Sequence, residues 1–456
     1  MLNIGKTKRI HFIGIGGIGM SGMAELLASS GYIITGSDLE SNDRVEFLSS
    51  INIDINIGHS KKNIDNADLV VFSSAVDMDN IEIKEAKSNG IPVMRRAEML
   101  AELVRLKPIS IGVSGTHGKT TSCSMVGSIL HYAKKDPTIV VGGIVKSFNT
   151  NAVSGSGDII VVEADEYDKT FLSLSPTISI VNNIEEEHLD CYDNLDDLKQ
   201  SFIDFSMNIP FYGLSIMNID NENVASIAKD INRPIIKYSI YNDSDYSAKN
   251  IKYLNNTTNF NLYVKGDRVD NITLKIPGEH NVYNSLCAIS VCLELGIKLK
   301  FIKKALKEFH GVKRRFDIKF QNENYIYIDD YAHHPTEIDV TLNAIKSGWE
   351  EKKFTAIFQP HLYSRTKEFY KDFAKALFKS DEIILMEIYG ARERPIKGVS
   401  SKIILDELIK MGHSNCCIAK GPNVVDSIKN DNQIIITMGA GNIWSQSDGI
   451  IKYLSQ

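Results

Sequence analysis

The sequence predicts an α/β protein, because apolar strand-like segments alternate with helical segments along most of the chain. Two glycine-rich turns, Gly14–Gly19 and Gly112–Gly118, each lie between an apolar strand and a helix. The 456 residues are enough for about three domains, each with its own core. We therefore expect a Rossmann-like N-terminal domain (1–106), a P-loop ATPase-like central domain (107–313) and a Rossmann-like C-terminal domain (314–456).

Composition indicates small-molecule partners. The net charge of -6, from 51 basic and 57 acidic residues, gives no basic surface for nucleic acid. The six cysteines have no Cys-x-x-Cys spacing, so we expect reduced thiols. No apolar run approaches the ~18 residues that a membrane span needs, and no signal peptide precedes the first strand. We expect a cytoplasmic protein without a membrane partner.

The central glycine-rich turn predicts a triphosphate site. Strand-like residues from Ile109 lead into Gly115-Thr-His-Gly-Lys-Thr-Thr121, which opens a helix. Backbone N–H groups and the helix N-terminus would bind phosphates, Lys119 would contact terminal phosphates and Thr120 would ligate Mg²⁺. Val113 stands where the strict Walker pattern has its first glycine. The candidate ATP-binding residues of this loop are Gly115, Thr116, His117, Gly118, Lys119, Thr120 and Thr121.

The N-terminal turn predicts a second nucleotide site. Gly14-Ile-Gly-Gly-Ile-Gly19 has the G-x-G-x-x-G spacing between strand and helix, and Asp38 follows at the distance where a ribose hydroxyl is bound. The glycines recognise a pyrophosphate, so NAD and a UDP-sugar both remain open. Arg95 and Arg96 would add charge-assisted hydrogen bonds or lie solvated at the surface. The candidate residues are Gly16, Gly17, Ile18, Gly19, Asp38, His59, Ser73 and Arg95.

Acidic clusters follow two further strands of the central domain. Asp158–Asp168 contains Glu163, and Thr177–Asp190 contains His188. In a parallel sheet these strand ends lie at the crevice that holds the phosphate loop. Glu163 is therefore a candidate Mg²⁺ ligand. Imidazole is unusual for Mg²⁺, so for His188 a metal-binding role and a simple hydrogen-bonding role both remain open.

A later amphipathic helix carries candidate base-binding residues. Asn281 and Asn284 lie one turn apart, so both amides would reach a purine edge, whereas helix capping by Asn281 is an equal alternative. After this helix, Arg314 and Arg315 lie in a short basic link. Either arginine would be able to contact a γ-phosphate, as inter-domain cations do in phosphoryl transfer.

Polar clusters also follow three strands of the last domain and predict a substrate pocket. They are Asp329–Glu337, Gln359–Thr366 and Glu387–Glu393. A fourth strand end, Met438–Asn442, resembles a Rossmann turn of unknown ligand.

Six segments in order together resemble the Mur ligases over the whole chain. They are Gly14–Met20, Gly115–Thr121, Asn182–His188, Gly278–Asn281, Asp330–Glu337 and Phe358–His361. The resemblance implies UDP-sugar-binding, ATPase and amino-acid-binding domains, the use of ATP and Mg²⁺, and the ligation of L-alanine to UDP-N-acetylmuramate through an acyl phosphate in peptidoglycan precursor synthesis.

The resemblance also implies roles for particular residues. The catalytic residues would be Lys119, Glu163, His188 and Arg315. The metal ligands would be Thr120, Glu163 and His188. ATP would also contact His280, Asn281 and Asn284. The amino acid would contact Tyr331, His333, Arg365 and Arg392.

Two alternative functions remain at this point. The ligase that re-attaches recycled murein tripeptide to the same nucleotide sugar shares most of these motifs, although its glycine loop usually departs from the one seen here. An NAD-dependent dehydrogenase would explain the first domain but would leave the Lys119 loop and both acidic clusters unused. We expect a monomer or a weak homodimer.

One departure from the family pattern concerns the amino-acid carboxylate. Leu362 stands where many members have an arginine after Gln-Pro-His, whereas Arg392 stands where those members often have glycine. We expect Arg392 to replace the missing cation and to hold the carboxylate together with Arg365. The alternative is a surface ion pair of Arg392 with Glu387 or Glu393.

Overall fold

The computed structural model describes residues 7–186, 191–391, 393–419, 423–428 and 433–455. The chain divides into two compact units. The first runs to Lys249 and includes Asn261–Ile272 and Tyr283–Phe309. The second contains Asn250–Phe260, Thr273–Val282 and the chain from His310 onward. Within the described ranges, no helix has the length and apolar character needed to cross a membrane.

The N-terminal part of the first unit contains a five-stranded parallel sheet in the order β3-β2-β1-β4-β5. Its strands are β1 (Arg9–Ile13), β2 (Ile33–Asp38), β3 (Asp54–Ile57), β4 (Leu69–Phe72) and β5 (Val93–Arg95). Its helices are α1 (Ile18–Ser29), α2 (Asp43–Ser50), α3 (Ile81–Ser88) and α4 (Arg96–Arg105), with a 3₁₀ turn at Lys61–Ile64.

This strand order creates a topological switch point beside β1. The chain leaves β1 for β2 on one side, and β4 pairs with β1 on the other side. Ligands of open α/β sheets bind at the carboxyl ends of the strands next to such a point. The glycine loop Gly14–Gly19 follows β1 there, so the predicted Rossmann-like arrangement is confirmed.

A ten-stranded sheet follows in the order β15-β14-β13-β12-β11-β10-β6-β9-β7-β8. Its strands are β6 (Ile109–Ser114), β7 (Thr138–Val145), β8 (Thr150–Val153), β9 (Ile159–Glu163), β10 (Ile178–Val181), β11 (Leu214–Asn218), β12 (Ile235–Ser239), β13 (Tyr246–Leu254), β14 (Thr257–Val264) and β15 (Asp267–Leu274). Its helices are α5 (Lys119–Tyr132), α6 (Leu195–Met207), α7 (Glu222–Ile227), α8 (Glu279–Glu294) and α9 (Leu299–Lys307), with 3₁₀ turns at Tyr167–Ser173 and Ala228–Asp230.

The central strand β6 is flanked by β10 and β9, and all three are parallel. Their residues are mostly buried, which explains why each has the near-continuous apolar run typical of parallel strands. The carboxyl ends of these three parallel strands therefore lie side by side, and they carry the phosphate loop, Glu163 and Asn182. Strands β13–β15 are the last three strands at one side of the sheet.

The β7–β8 hairpin is a feature that the sequence reasoning did not anticipate. It packs against α1, the helix that follows the N-terminal glycine loop. The Asn151 side-chain amide donates a hydrogen bond to the Ile18 carbonyl oxygen at 2.6 Å. Gly22 permits this approach, because a Cβ at that position would lie 2.6 Å from the same amide nitrogen. The hairpin therefore connects the central sheet to the N-terminal nucleotide fold.

The second unit contains a six-stranded sheet in the order β16-β17-β21-β18-β19-β20, parallel except for β16. Its strands are β16 (Asp317–Gln321), β17 (Ile326–Asp330), β18 (Phe354–Phe358), β19 (Glu382–Leu385), β20 (Cys416–Ile418) and β21 (Ile434–Met438). Its helices are α10 (Pro335–Gly348), α11 (Tyr363–Leu377), α12 (Lys402–Lys410) and α13 (Ser447–Leu454), with 3₁₀ turns at Val424–Ser427 and Asn442–Gln446.

The observed architecture confirms the predicted α/β class. None of the six cysteines, all of which lie in described ranges, is in a disulfide bond. The proposed domain limits after residues 106 and 313 remain predictions, because the contact pattern groups the N-terminal and central sheets into one unit.

Candidate functional site

The phosphate loop adopts backbone conformations that require its glycines. Gly115 and Gly118 have φ values of +132° and +81°, which side chains disfavour. A Cβ at Gly115 would also lie 3.0 Å from the Asn183 backbone nitrogen. Asn183 holds the loop, since its carbonyl oxygen accepts from Thr116 N–H at 3.1 Å and its side-chain oxygen accepts from His117 N–H at 2.7 Å. The two glycines and the hydrogen bonds of Asn183 therefore fix the shape of the loop.

Lys119, the first residue of α5, points back into this loop. Its ammonium donates to the carbonyl oxygens of Gly115 at 2.7 Å and Thr116 at 3.1 Å. It also lies 2.9 Å from both carboxylate oxygens of Glu166. Burial alone would lower the pKa of Lys119, but the charges of Glu166 and Asp165 raise it above the ordinary value. Lys119 is therefore a fixed cation at the phosphate loop.

Glu163 ends β9 beside the first turn of the same helix. Its carboxylate accepts from Gly142 N–H at 2.7 Å and from the Thr120 hydroxyl. Burial raises the pKa of Glu163 despite these two hydrogen bonds. An adjacent hydroxyl and carboxylate are hard oxygen donors, and Mg²⁺ usually binds through one or two such groups with phosphates and water. The predicted pair Thr120 and Glu163 therefore fits Mg²⁺ chemistry.

A series of buried, hydrogen-bonded side chains leads to the phosphate loop. Tyr238 donates to the Asn182 side-chain oxygen at 2.9 Å, and the Asn182 amide donates to Ser122 at 3.1 Å. The Ser122 hydroxyl then donates to the Asn284 oxygen at 3.0 Å. That oxygen lies 2.5 Å from where a Cβ on Gly118 would stand. The structure thus brings the predicted residue Asn284 to the phosphate loop, whereas Ser122 and Tyr238 escaped sequence reasoning because neither lies in a motif.

The Asp38 side chain lies against the N-terminal glycine loop, whereas the contact with a ribose hydroxyl that its spacing predicts stays a prediction. The Asp38 carboxylate accepts from Gly16 N–H at 2.8 Å. Gly17 is the N-cap of α1, and Ser73 lies against Gly14, 3.2 Å from where a Cβ would stand. The Arg96 guanidinium lies only 2.9 Å from the corresponding position on Gly19. Arg96 therefore lies next to the glycine loop.

The arginines of this domain also contact the acidic segment of the central domain. The guanidinium of Arg95 lies 3.8 Å from Asp168, and that of Arg96 lies 3.8 Å from Asp165. Arg95 is more than half exposed, whereas Arg96 is about a quarter exposed. These distances make the ion pairs weak, so a bound diphosphate would compete for both guanidinium groups.

A buried carboxylate that the sequence reasoning missed holds His59. Glu82 is fully buried and accepts from Ser37 at 2.6 Å and from Asn63 at 2.6 Å. The His59 ring nitrogen Nδ1 lies 3.1 Å from the Ser37 hydroxyl and 3.6 Å from the Glu82 carboxylate. Glu82 therefore organises the predicted residue His59, and its position on a helix of unremarkable pattern gave no sequence signal.

The second unit brings its predicted residues together at the ends of β17 and β18. Tyr331 packs under the guanidinium of Arg315 at 5.3 Å and against the ring of His333 at 5.3 Å. Arg315 also lies 3.4 Å from Glu337, and His333 Nδ1 lies 3.1 Å from the same carboxylate. These four residues form one cluster, in which the Glu337 carboxylate contacts both Arg315 and His333.

His361 and Arg365 extend this cluster. The His361 ring packs against His333 at 5.9 Å and stacks on Tyr389 at 5.9 Å. Burial, together with the positive charges of His333 and Arg365, lowers the pKa of His361 to about 4. The Arg365 nitrogen Nη1 is buried and has no hydrogen-bond partner among the described residues. An unpaired guanidinium nitrogen in a polar pocket favours an anionic ligand.

Four remaining candidate residues have different outcomes. His280 is buried, and burial together with Arg315 lowers its pKa to about 4. Asn281 lies inside the first turn of α8 and its amide donates to the Pro277 carbonyl oxygen at 2.7 Å, so it is not the N-cap of the helix. His188 and Arg392 lie outside the described residues, so their predicted roles stay predictions.

Comparison with known proteins agrees with this geometry. Models of the Mur ligase family match as its catalytic domain at residues 9–108, its middle domain at 113–292 and its glutamate ligase domain at 314–441. A UDP-N-acetylmuramate–L-alanine ligase of Geotalea uraniireducens is 44% identical over 454 residues, which cover 99% of each chain.

Solved structures show the same relationship. The UDP-N-acetylmuramate-alanine ligase MurC of Thermotoga maritima has a TM-score of 0.85 and 32% identity, covering 98% of this chain and 99% of that one. A murein peptide ligase of Psychrobacter arcticus has a TM-score of 0.71 at 24% identity, covering 98% and 99%, a likeness of fold alone.

A phosphate loop with a fixed lysine and a separate dinucleotide-type glycine loop, both on parallel sheets, define a nucleotide-dependent α/β enzyme. The identity with whole-length relatives makes the assignment narrower: the chain belongs to the Mur ligase family.

The buried Glu82 network generates a pH-dependent prediction. Burial would raise the pKa of Glu82, but hydrogen bonds from His11, Ser37 and Ser60 N–H lower it to about 2, from 4.5. A depressed pKa stabilises the fold above pH ~4.5, and this stabilisation is lost as the pH falls towards 2. Glu82→Gln should therefore lower the free energy of opening of the N-terminal sheet by up to about 3 kcal/mol at pH 7 and by less than half as much at pH 3.

Hydrogen exchange in peptides that cover β2 and α3 measures this difference at each pH. Glu85→Gln on the same helix is the matched control, because Glu85 pairs with the largely exposed Lys61 and should change exchange little. A difference between Glu82→Gln and wild type that persists undiminished at pH 3 would contradict the assignment.

Proposed function

We propose that this protein uses ATP to join L-alanine to the lactyl carboxylate of UDP-N-acetylmuramate. The observation that carries the proposal is the presence of two distinct nucleotide loops in one chain, of which only the central one has a lysine held at its centre. The whole-length identity with a ligase of this activity supports the same substrates. The amide bond formed is the first peptide bond of the peptidoglycan precursor.

ATP binds at the central loop in this proposal. Lys119 contacts the terminal phosphates, and Asn284 lies beside Gly118 at the same loop. Thr120 and Glu163 would hold Mg²⁺, with the predicted help of His188, and a cation bound there would neutralise charge on the γ-phosphoryl group. UDP-N-acetylmuramate binds at the N-terminal loop through Gly16–Gly19, Asp38 and His59, with Arg96 in addition to the predicted Arg95 and Ser73.

The chemistry requires carboxylate activation, because a carboxylate is a poor electrophile. A lactyl carboxylate oxygen attacks the γ-phosphorus of ATP, the bond to the bridging oxygen breaks, and ADP leaves. The alanine nitrogen then attacks the carbonyl carbon of the acyl phosphate, and the carbon–oxygen bond to phosphate breaks. The nitrogen loses a proton, and the products are the amide, ADP and inorganic phosphate. Lys119 stabilises the charge that develops during the first transfer.

The amino acid binds in the second unit in this proposal. Arg365, whose Nη1 nitrogen is buried, contacts the alanine carboxylate, and Tyr331 and His333, which pack against each other, are the other predicted contacts. Arg392 remains the predicted replacement for the cation missing at Leu362. Such a pocket would discriminate modestly between alanine, serine and glycine, because one methyl group contributes only ~1 to 3 kcal/mol. A cytoplasmic monomer or weak homodimer is part of the same proposal.

Release of inorganic phosphate from ATP tests this function. We expect release only when UDP-N-acetylmuramate and L-alanine are both present with Mg²⁺, and no change in nicotinamide absorbance when NAD is added. Efficient turnover with murein tripeptide in place of L-alanine would favour the recycling ligase. Nicotinamide reduction without phosphate release would favour the dehydrogenase.

Lys119→Ala tests the separation of the two nucleotide sites. Ligation should fall below detection because the γ-phosphoryl charge is no longer stabilised. The affinity for UDP-N-acetylmuramate, measured by calorimetric titration, should stay within about twofold. The reason is that this ligand binds at the other glycine loop, so an interaction lost at Lys119 in the transition state does not alter its binding. An equal loss of UDP-N-acetylmuramate affinity would show that the two ligands share one site.

A further inference from the structure

Glu166 is a buried carboxylate that the proposed chemistry has not yet used. Its side chain is 1% exposed, and both of its oxygens lie 2.9 Å from the Lys119 ammonium. It comes three residues after Glu163, but the Glu163 carboxylate contacts Gly142 and Thr120 instead. The two neighbouring acids therefore have different partners at the same loop. Glu163 contacts the Thr120 hydroxyl, and Glu166 contacts the Lys119 ammonium.

The backbone around Glu166 is held on several sides, so its carboxylate has little freedom to move. The Tyr192 hydroxyl donates to the Glu166 carbonyl oxygen at 2.5 Å, and Lys169 N–H donates to the same oxygen at 3.0 Å. The preceding carbonyl, of Asp165, accepts from Phe171 N–H at 3.0 Å and from the Thr170 hydroxyl at 3.0 Å. A side chain on such a rigid segment is suited to fix a partner in place.

The bonds of Lys119 differ in strength, and this difference decides which of them a phosphate would replace. A carboxylate carries a full negative charge whereas a carbonyl oxygen carries only a partial one, so the ammonium is attracted more strongly to Glu166. The bonds to the Gly115 and Thr116 carbonyl oxygens are therefore the weaker ones. An arriving triphosphate would replace these two bonds first, and the bond to Glu166 would keep the ammonium beside the loop.

We propose that Glu166 is a positioning residue that fixes the Lys119 ammonium for phosphoryl transfer. The proposal rests on the proposed function, because it concerns the step in which the γ-phosphoryl group leaves ATP. Glu166 does not contact the reacting atoms in this account. It acts through Lys119 and lowers the barrier by holding a charge where the transition state needs it.

Steady-state kinetics of Glu166→Gln test the proposal. The amide keeps the shape of the side chain but removes its charge, so Lys119 loses its strongest bond. We expect kcat to fall about 10- to 100-fold, because a misplaced catalytic group costs rate on this scale. The KM for ATP should change less than about threefold, since the loop backbone and Asn183 still form the phosphate site.

The matched control is Asp270→Asn. Asp270 also pairs with a lysine, Lys303, at 2.6 Å, but both side chains are about one third exposed and Asp270 lies on the edge strand β15, six strands from β6 in the sheet order. We expect its kcat and KM to match those of the wild type. A lowered melting temperature in both variants, with normal kcat in both, would assign Glu166 to stability alone and overturn the proposal.

A double-mutant cycle with Lys119→Arg, which keeps a cation and therefore leaves turnover that can be measured, separates the remaining outcomes. If Glu166 acts by placing the ammonium of Lys119, the loss of kcat in Lys119→Arg is not deepened by adding Glu166→Gln. Additive losses would overturn the proposal, and so would a tighter KM for ATP with unchanged kcat, which would make Glu166 a competitor of the triphosphate. Wild-type enzyme that releases no alanine-dependent phosphate would refute the proposed function before any variant is compared.

Discussion

The burial of parallel strands on both faces is the constraint on which the arrangement of this protein depends. Strands β6 and β9 are buried and carry small or apolar side chains along their length, so ionised groups can lie only where these strands end. This explains why the phosphate loop comes after β6 and why Glu163 is the last residue of β9. The same constraint places the Gly14–Gly19 loop after β1 and Tyr331 after β17.

Acidic and basic side chains lie close together at the carboxyl ends of the central strands. The segment from Glu163 to Asp168 carries four acids within six residues. Glu166 neutralises Lys119, and Asp165 and Asp168 face the two arginines of the N-terminal domain. One short segment thus contacts groups of both nucleotide loops. A buried ion pair such as Lys119–Glu166 contributes mainly specificity of position, because desolvation offsets much of its attraction.

The parts predictable from sequence were those set by local pattern. Glycine spacing located both loops, and apolar runs located most strands of the three sheets. The β7–β8 hairpin escaped because two glycines, Gly142 and Gly143, interrupt the apolar run of β7, and the short edge strand β3 escaped because three of its four residues are exposed. The pairing of Lys119 with Glu166, and of His59 with Glu82, joins residues 47 and 23 positions apart. Such pairs depend on tertiary packing, which a single sequence does not encode locally.

The central claim is that the lactyl carboxylate is activated by phosphoryl transfer, and an isotope measurement tests it most directly. UDP-N-acetylmuramate labelled with ¹⁸O in both lactyl carboxylate oxygens is turned over with ATP, Mg²⁺ and L-alanine. The account predicts that each amide formed releases one inorganic phosphate containing one ¹⁸O atom, because the acyl carbon–oxygen bond breaks. Phosphate free of ¹⁸O, with amide formed at the normal rate, would contradict it.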